Sequence, residues 1–206
     1  MQGVVSYPPG TARQLTMSTL AFIRPVLRPG DRVLDIGCGE GFVLAELASA
    51  HEVTGVDIAD HRATRLPRFA LYDGLRLPFA DGSYDVSLLA FVLHHVPNDL
   101  KPVLVREARR VSRRAIVVLE DTPRTLLDRI ACHLHGRAYR RKVGSTAGFG
   151  FYDPARWEAF FAQLELRVVT STAFSRFRRD WRRPWARTCF VLEPWNGRPR
   201  TAGELS

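Results

Sequence analysis

Cysteine is scarce. Cys38, Cys132 and Cys189 show neither paired nor metal-ligand spacing, which argues against a disulfide framework or a structural zinc and fits a reducing cytoplasm. No apolar run approaches the roughly 20 residues of a membrane span, so no transmembrane segment is expected. The opening MQGVVSYPPGTARQ has no charged-then-apolar leader, and no signal peptide is read there. Internal repeats and low-complexity tracts are absent as well. Lysine is nearly missing, since Lys101 and Lys142 are the only two among 30 basic residues. Such heavy arginine use can reflect genome composition, so the net charge of +9 has to be located before it is interpreted.

The 206 residues are enough for one domain with a sizeable core, and 46% hydrophobic with 25% charged residues is ordinary for a globular chain. Residues 1–120 carry 14 basic and 13 acidic groups, whereas 121–206 carry 16 and 8, so the excess is +1 against +8. That asymmetry suits an acidic substrate, a membrane surface or a nucleic acid approaching the C-terminal part, and equally a solvated arginine-rich surface.

Along the chain, Thr11 with Gln14 makes a capping-box pattern for a helix from about Ala12 toward Val26, bent at Pro25. Strands follow at Arg32–Ile36, Val53–Asp57 and near Phe69–Tyr72, with a helix across Gly41–Ala50 and a brief one before Pro67. Tyr84–Leu89 and Ala115–Leu119 read as buried strands flanking a helix at Asp99–Val111. Asp153-Pro154 caps a helix that turns Trp157, Phe160 and Phe161 inward, and Leu164–Thr170 and Thr188–Glu193 form a final hairpin-like pair. The alternation predicts an α/β class: a doubly wound, mainly parallel seven-stranded sheet with an antiparallel last strand, in a single domain spanning 1–206.

The turn in VLDIGCGEGFV carries the chemistry. A nicotinamide fingerprint needs a glycine three residues beyond Gly39, and Phe42 stands there instead. The spacing is Gly37, Gly39, Gly41, framed by Asp35 and Glu40, which would repel a pyrophosphate and welcome an ammonium. Asp57 ends the next strand, where a carboxylate can accept both hydroxyls of a ribose. The ligand these residues describe is a nucleoside with a charged, phosphate-free tail, as in S-adenosylmethionine.

On VLDIGCGEG, VTGVDIAD and YDGLRLPFADGSYDVSLLAFVLHHV, in that order, the chain resembles the class I S-adenosylmethionine-dependent methyltransferases, specifically the small-molecule, type 11-like group. The resemblance covers roughly residues 10–120 and weakens toward the end. It implies that Asp35 orients the amino end of the cofactor and that Gly37 and Gly39 line its methionine moiety. It further implies that Asp57 holds the ribose, Asp73 receives the adenine amino group and the Gly74 backbone meets a ring nitrogen. Cys38, Ile58 and Phe91 complete the implied cofactor contacts; no metal is implied. The sequence departs from the family in a short segment between Asp57 and Asp73 and in VSRRAIVVLED, which replaces the usual Lys-Pro-Gly-Gly turn.

Methyl transfer to a hydroxyl or ammonium needs a general base near the carboxyl ends of the strands. His94, His95 and Asp121 are the candidates, with Glu120 comparable; packing of the His pair at a helix start and capping by Asp121 or Thr122 are the structural alternatives. Residues 1–30 read as an N-terminal helical cap, and Tyr7 lies in the kind of N-terminal segment that closes over the cofactor in similar enzymes. Residues 121–151 read as a lid-like insert in which Leu126, Leu127, Ile130 and Leu134 form one apolar face, toward an acceptor pocket or docked on the core. FSRFRRDWRRPW at 174–185 reads as a hairpin loop, with nucleic-acid stacking or a membrane interface as alternatives. The functional expectation is a cytoplasmic enzyme acting on a small, possibly acidic, acceptor; RNA methylation and a non-catalytic scaffold are the alternatives, and the oligomeric state is open.

Overall fold

The strand before the glycine turn, β1 (Arg32–Ile36), is buried on both faces, which only a central strand of a covered sheet allows. In the computed structural model, which describes residues 9–143, 150–174 and 186–195, it has six companions. These are β2 (Glu52–Asp57), β3 (Phe69–Leu71), β4 (Tyr84–Ala90), β5 (Ser112–Asp121), β6 (Leu166–Phe174) and β7 (Arg187–Pro194). The helices are α1 (Pro9–Ile23), α2 (Phe42–Leu47), α3 (Lys101–Val111), α4 (Leu126–Val143) and α5 (Pro154–Gln163). The sheet runs β3-β2-β1-β4-β5-β7-β6. The pairs from β3 through β5 are parallel, while β7 inserts antiparallel between β5 and β6.

The period-two alternation of each strand splits the core in two. Leu34, Ile36, Val118 and Phe190 face α3 and α5, where Leu104, Val105, Trp157 and Phe161 are buried against them. Val33, Val86, Val117 and Cys189 face the other layer, with Leu20 and Ile23 from α1 and Leu44 and Leu47 from α2. Each such side chain is worth about 1.5–3 kcal/mol of transfer free energy. Asp153 begins α5 as expected: its Oδ1 accepts the Arg156 N–H at 2.9 Å, with Pro154 in the first turn.

Three details differ from the sequence reading. Helix α1 starts at Pro9, ahead of Thr11, and gives way to a 3₁₀ turn at Arg24–Val26, where Pro25 removes a donor. No helix forms between Asp57 and Pro67. Instead the Ala63 and Thr64 N–H groups and the Thr64 hydroxyl all donate to the Glu40 carbonyl, tying this strap to the glycine turn. The start of α4 is capped by neither Asp121 nor Thr122: the Asp128 N–H donates to the Thr125 hydroxyl and the Thr125 N–H to Asp128 Oδ2, both at 3.1 Å, a reciprocal capping box. Tyr7 and residues 175–185 lie outside the described residues.

Candidate active site

The strand order reverses between β1 and β4, and their carboxyl ends open the crevice where doubly wound sheets bind ligands. The two loops touch there. A Cβ on Gly37, whose φ is +76°, would sit 2.7 Å from Val92 Cγ2, so only glycine lets the turn pass under the loop after β4. Gly41, at φ +81°, starts α2 and meets the strap, where a Cβ would lie 2.6 Å from Thr64 Oγ1. Beside Gly39 there is open space, with nothing within 4 Å of a built Cβ. The loop thus has a crowded underside and a free rim.

Two carboxylates frame that rim. Asp57, half-buried at the end of β2, accepts the Gly39 N–H at 2.9 Å with Oδ2 and the Ile58 N–H at 2.7 Å with Oδ1. Those bonds fix the carboxylate's orientation and leave lone pairs for a ligand. Asp35 is different: it is buried, and its Oδ1 has no hydrogen-bond partner. Burial, and then the neighbouring charge of Asp57, push its carboxyl up to about 7. A buried acid kept partly protonated by desolvation, and next by a like-charged neighbour, favours a cation beside it. The thiol of Cys38, also buried and close to both acids, is held well above the usual thiol range, first by burial and then by Asp35 and Asp57, so it packs and is not a nucleophile.

Farther along the rim, Asp73 accepts the Leu75 and Arg76 N–H groups with Oδ1 at 2.8 and 2.9 Å. Gly74 follows at φ +82°, where a Cβ would lie 3.6 Å from Ile58 Cγ2. Ile58 is 66% exposed and Leu75 47%, two large apolar side chains left open beside hydrogen-bonding groups. Leu75 is a neighbour that motif reading passed over.

At the ends of β4 and β5, Phe91 holds φ +61°, an uncommon conformation for a non-glycine residue, anchored by its N–H to the Leu119 carbonyl at 2.8 Å. The His pair lies in a 3₁₀ turn, Leu93–His95, not at a helix start. His94 is buried with Nδ1 2.5 Å from Glu120 Oε2, while Glu120 Oε1 accepts the Leu93 N–H at 2.7 Å. Burial works against an imidazolium here, but the Glu120 charge and hydrogen bond outweigh it, and the His94 pKa is raised. His95 is half-buried, its ring centroid 4.0 Å from that of His94. Asp121 is engaged otherwise, accepting from Arg187 Nε at 3.0 Å across the β5–β7 pair. The Arg187 guanidinium also lies over the Phe91 ring at 5.3 Å, and its buried Nη2 has no partner. Arg187 and Glu120's grip on His94 are contacts that motif spacing does not reveal, because both depend on strand register.

Known proteins bear on this geometry. Residues 34–118 match the methyltransferase-domain family. Over that stretch, less than half of the chain, it resembles the class I S-adenosylmethionine-dependent methyltransferases. It is 36% identical to 27-O-demethylrifamycin SV methyltransferase of Amycolatopsis mediterranei, over 42% of this chain and 36% of that protein. It is 40% identical to demethylmenaquinone methyltransferase of Beutenbergia cavernae, over 47% and 43%. The chain therefore spans less than half the length of these curated relatives. Magnesium protoporphyrin IX methyltransferase from Synechocystis PCC 6803, solved with bound S-adenosylhomocysteine, shares the fold with a TM-score of 0.62 at 18% identity, over 88% of this chain and 83% of that one. The residues of this chain fit that family's cofactor: the unpartnered Asp35 oxygen, the open space at Gly39 and the oriented Asp57 together suit an amino-acid tail and a sugar.

Proposed function

We propose that the chain transfers a methyl group from S-adenosylmethionine to a small or medium organic acceptor, at oxygen, nitrogen or carbon. The observation that carries this reading is Asp35, a buried carboxylate with an unpartnered oxygen on the rim of an acid-framed glycine turn. In this reading Asp35 receives the ammonium of the tail, and Gly37, Cys38 and Gly39 line it. Asp57 holds the ribose hydroxyls, Asp73 and Gly74 meet the adenine edge, and Ile58 covers its face, while Phe91 divides cofactor from acceptor. When bound, the cofactor supplies a methyl carbon activated by a sulfonium, so the protein's task is alignment for in-line displacement and exclusion of water.

His94 is the best-supported base. Glu120 Oε2, 2.5 Å from its Nδ1, orients the ring and favours its protonated form, so that it can hold a proton taken from an acceptor. His95 packs tilted against it and shapes the approach. Asp121, already paired, serves to position Arg187, whose spare Nη2 suits an anionic or carbonyl oxygen on an acceptor. Residues 121–151 act as the lid: α4 turns Asp128 and Cys132 inward, and Cys132 feels the charges of Asp121 and Arg187. From Pro9 on, the N-terminal segment covers the layer that holds α2. The relatives' acceptors, a demethylmenaquinone and a demethylrifamycin, favour a bulky organic acceptor over nucleic acid. Three unpaired buried cysteines support a cytoplasmic setting; no helix among the described residues is long and apolar enough to cross a membrane.

Isothermal titration at pH 8 should show S-adenosylhomocysteine binding that Asp57→Ala abolishes, and a labelled-methyl assay over organic acceptors should show turnover. Tight nicotinamide dinucleotide binding in its place refutes the cofactor assignment, and cofactor binding without any transfer favours a scaffold.

A further inference from the structure

Four aliphatic residues of α4 are not packed into the core. Leu126 is 73% exposed, Leu127 77%, Ile130 49% and Leu134 61%, whereas Asp128 and Cys132 are buried. At about 3.6 residues per turn, 126, 127, 130 and 134 fall on one side of the helix and 128 and 132 on the opposite side. The helix is therefore amphipathic twice over: anchored by one face and open to solvent with an aliphatic stripe on the other. Leaving four aliphatic side chains in water on one face is unfavourable, and a contiguous stripe of this kind marks a docking surface.

Charge selects the occupant. Arg129, His133 and Arg137, spaced by four and all exposed, run along one edge of the stripe, and Arg124 stands exposed just ahead of the helix. The sequence adds Arg140, Arg141 and Lys142 toward its C-terminal end. The helix's one acid, Asp128, is buried and spent on the capping box. A second copy of this chain would bring the same arginines against these, so pairing stripe to stripe places like charges together. An anionic bilayer surface offers the complement: acyl chains for the leucines and headgroup phosphates for the arginines. From this we infer that α4 docks the protein, helix axis in the interface plane, onto an anionic lipid surface. The aliphatic stripe enters the headgroup boundary, and the buried face keeps its packing against the domain. This inference does not depend on the methyl-transfer reading.

The test is co-sedimentation of the full chain with large unilamellar vesicles, either pure phosphatidylcholine or phosphatidylcholine mixed with phosphatidylglycerol. Binding is expected on the mixed vesicles, weak on the neutral ones, and falling with salt. Leu127→Glu with Ile130→Glu should abolish it. Arg124→Ala with Arg137→Ala should weaken partitioning by about 25-fold, from about fivefold for each surface cation lost. Circular dichroism should stay unchanged in both variants, because all four positions are exposed. No binding to mixed vesicles overturns the inference, as does equal binding to neutral ones or binding indifferent to the two glutamates. A dimer in light scattering that Leu127→Glu with Ile130→Glu dissociates would give the stripe to a second copy and overturn it too. So would salt-sensitive RNA binding with no vesicle binding.

Discussion

Asp35 makes the cofactor site sensitive to pH in a direction that can be worked out. Its carboxyl titrates near 3.8 in the unfolded chain and at about 7 in the ligand-free fold. The folded state thus binds more protons than the unfolded state between those values, and stability falls as pH rises from about 4 to about 7, then levels off. Three units bound this penalty at about 4 kcal/mol. A ligand ammonium beside Asp35 reverses the preference by favouring the carboxylate, so binding expels a proton. About 3% of the free protein carries ionised Asp35 at pH 5.5 and about 90% at pH 8, so affinity for S-adenosylhomocysteine should rise roughly 30-fold over that interval and then flatten. Calorimetry in buffers of different ionisation enthalpy should show close to one proton released per ligand at pH 6. Asp35→Asn should stabilise the ligand-free protein at neutral pH, weaken binding at pH 8 by about ten- to a hundredfold, and flatten the pH dependence. A wild-type affinity independent of pH, or an identical slope in Asp35→Asn, would refute the assignment of the ammonium to this carboxylate.

Other perturbations follow from the same geometry. Glu120→Gln should lower the His94 pKa, shift the acid limb of the pH–rate profile downward and cut kcat about 10²-fold at neutral pH, as read in a methyl-transfer assay. Gly37→Ala should cost about 2–4 kcal/mol in denaturant unfolding through its left-handed φ and the contact with Val92, and adding Val92→Ala should restore only the contact part. Arg187→Met should cost about 3–5 kcal/mol because it strands the buried Asp121 carboxylate, with Asp121→Asn in the same chain recovering most of the loss. Thr125→Ala should destabilise by about 1 kcal/mol and speed hydrogen exchange at the start of α4.

How much of this was legible in the linear chain differs from element to element. The buried runs at Val33–Ile36 and Ala115–Leu119 and the proline-led start of α5 read correctly because periodicity and capping act between residues close in sequence. The brief helix before Pro67 failed for a reason that no local pattern contains: the Glu40 carbonyl, more than twenty residues earlier, captures the Ala63 and Thr64 donors. Likewise, the sequence showed that Leu126, Leu127, Ile130 and Leu134 share a face but not that this face points outward.

The order of the glycines, the acids framing them and the acid ending the second strand were enough to name a cofactor class, since the chemistry of a turn lies in the few residues that make it. What folding alone decided was which of several carboxylates is left wanting. Glu120 found His94 and Asp121 found Arg187, because parallel and antiparallel registers brought distant residues together. Asp35, enclosed by both sheet faces, kept a buried oxygen without a partner. Desolvation and pairing energies depend on what surrounds a group in three dimensions, and sequence distance carries almost no information about that.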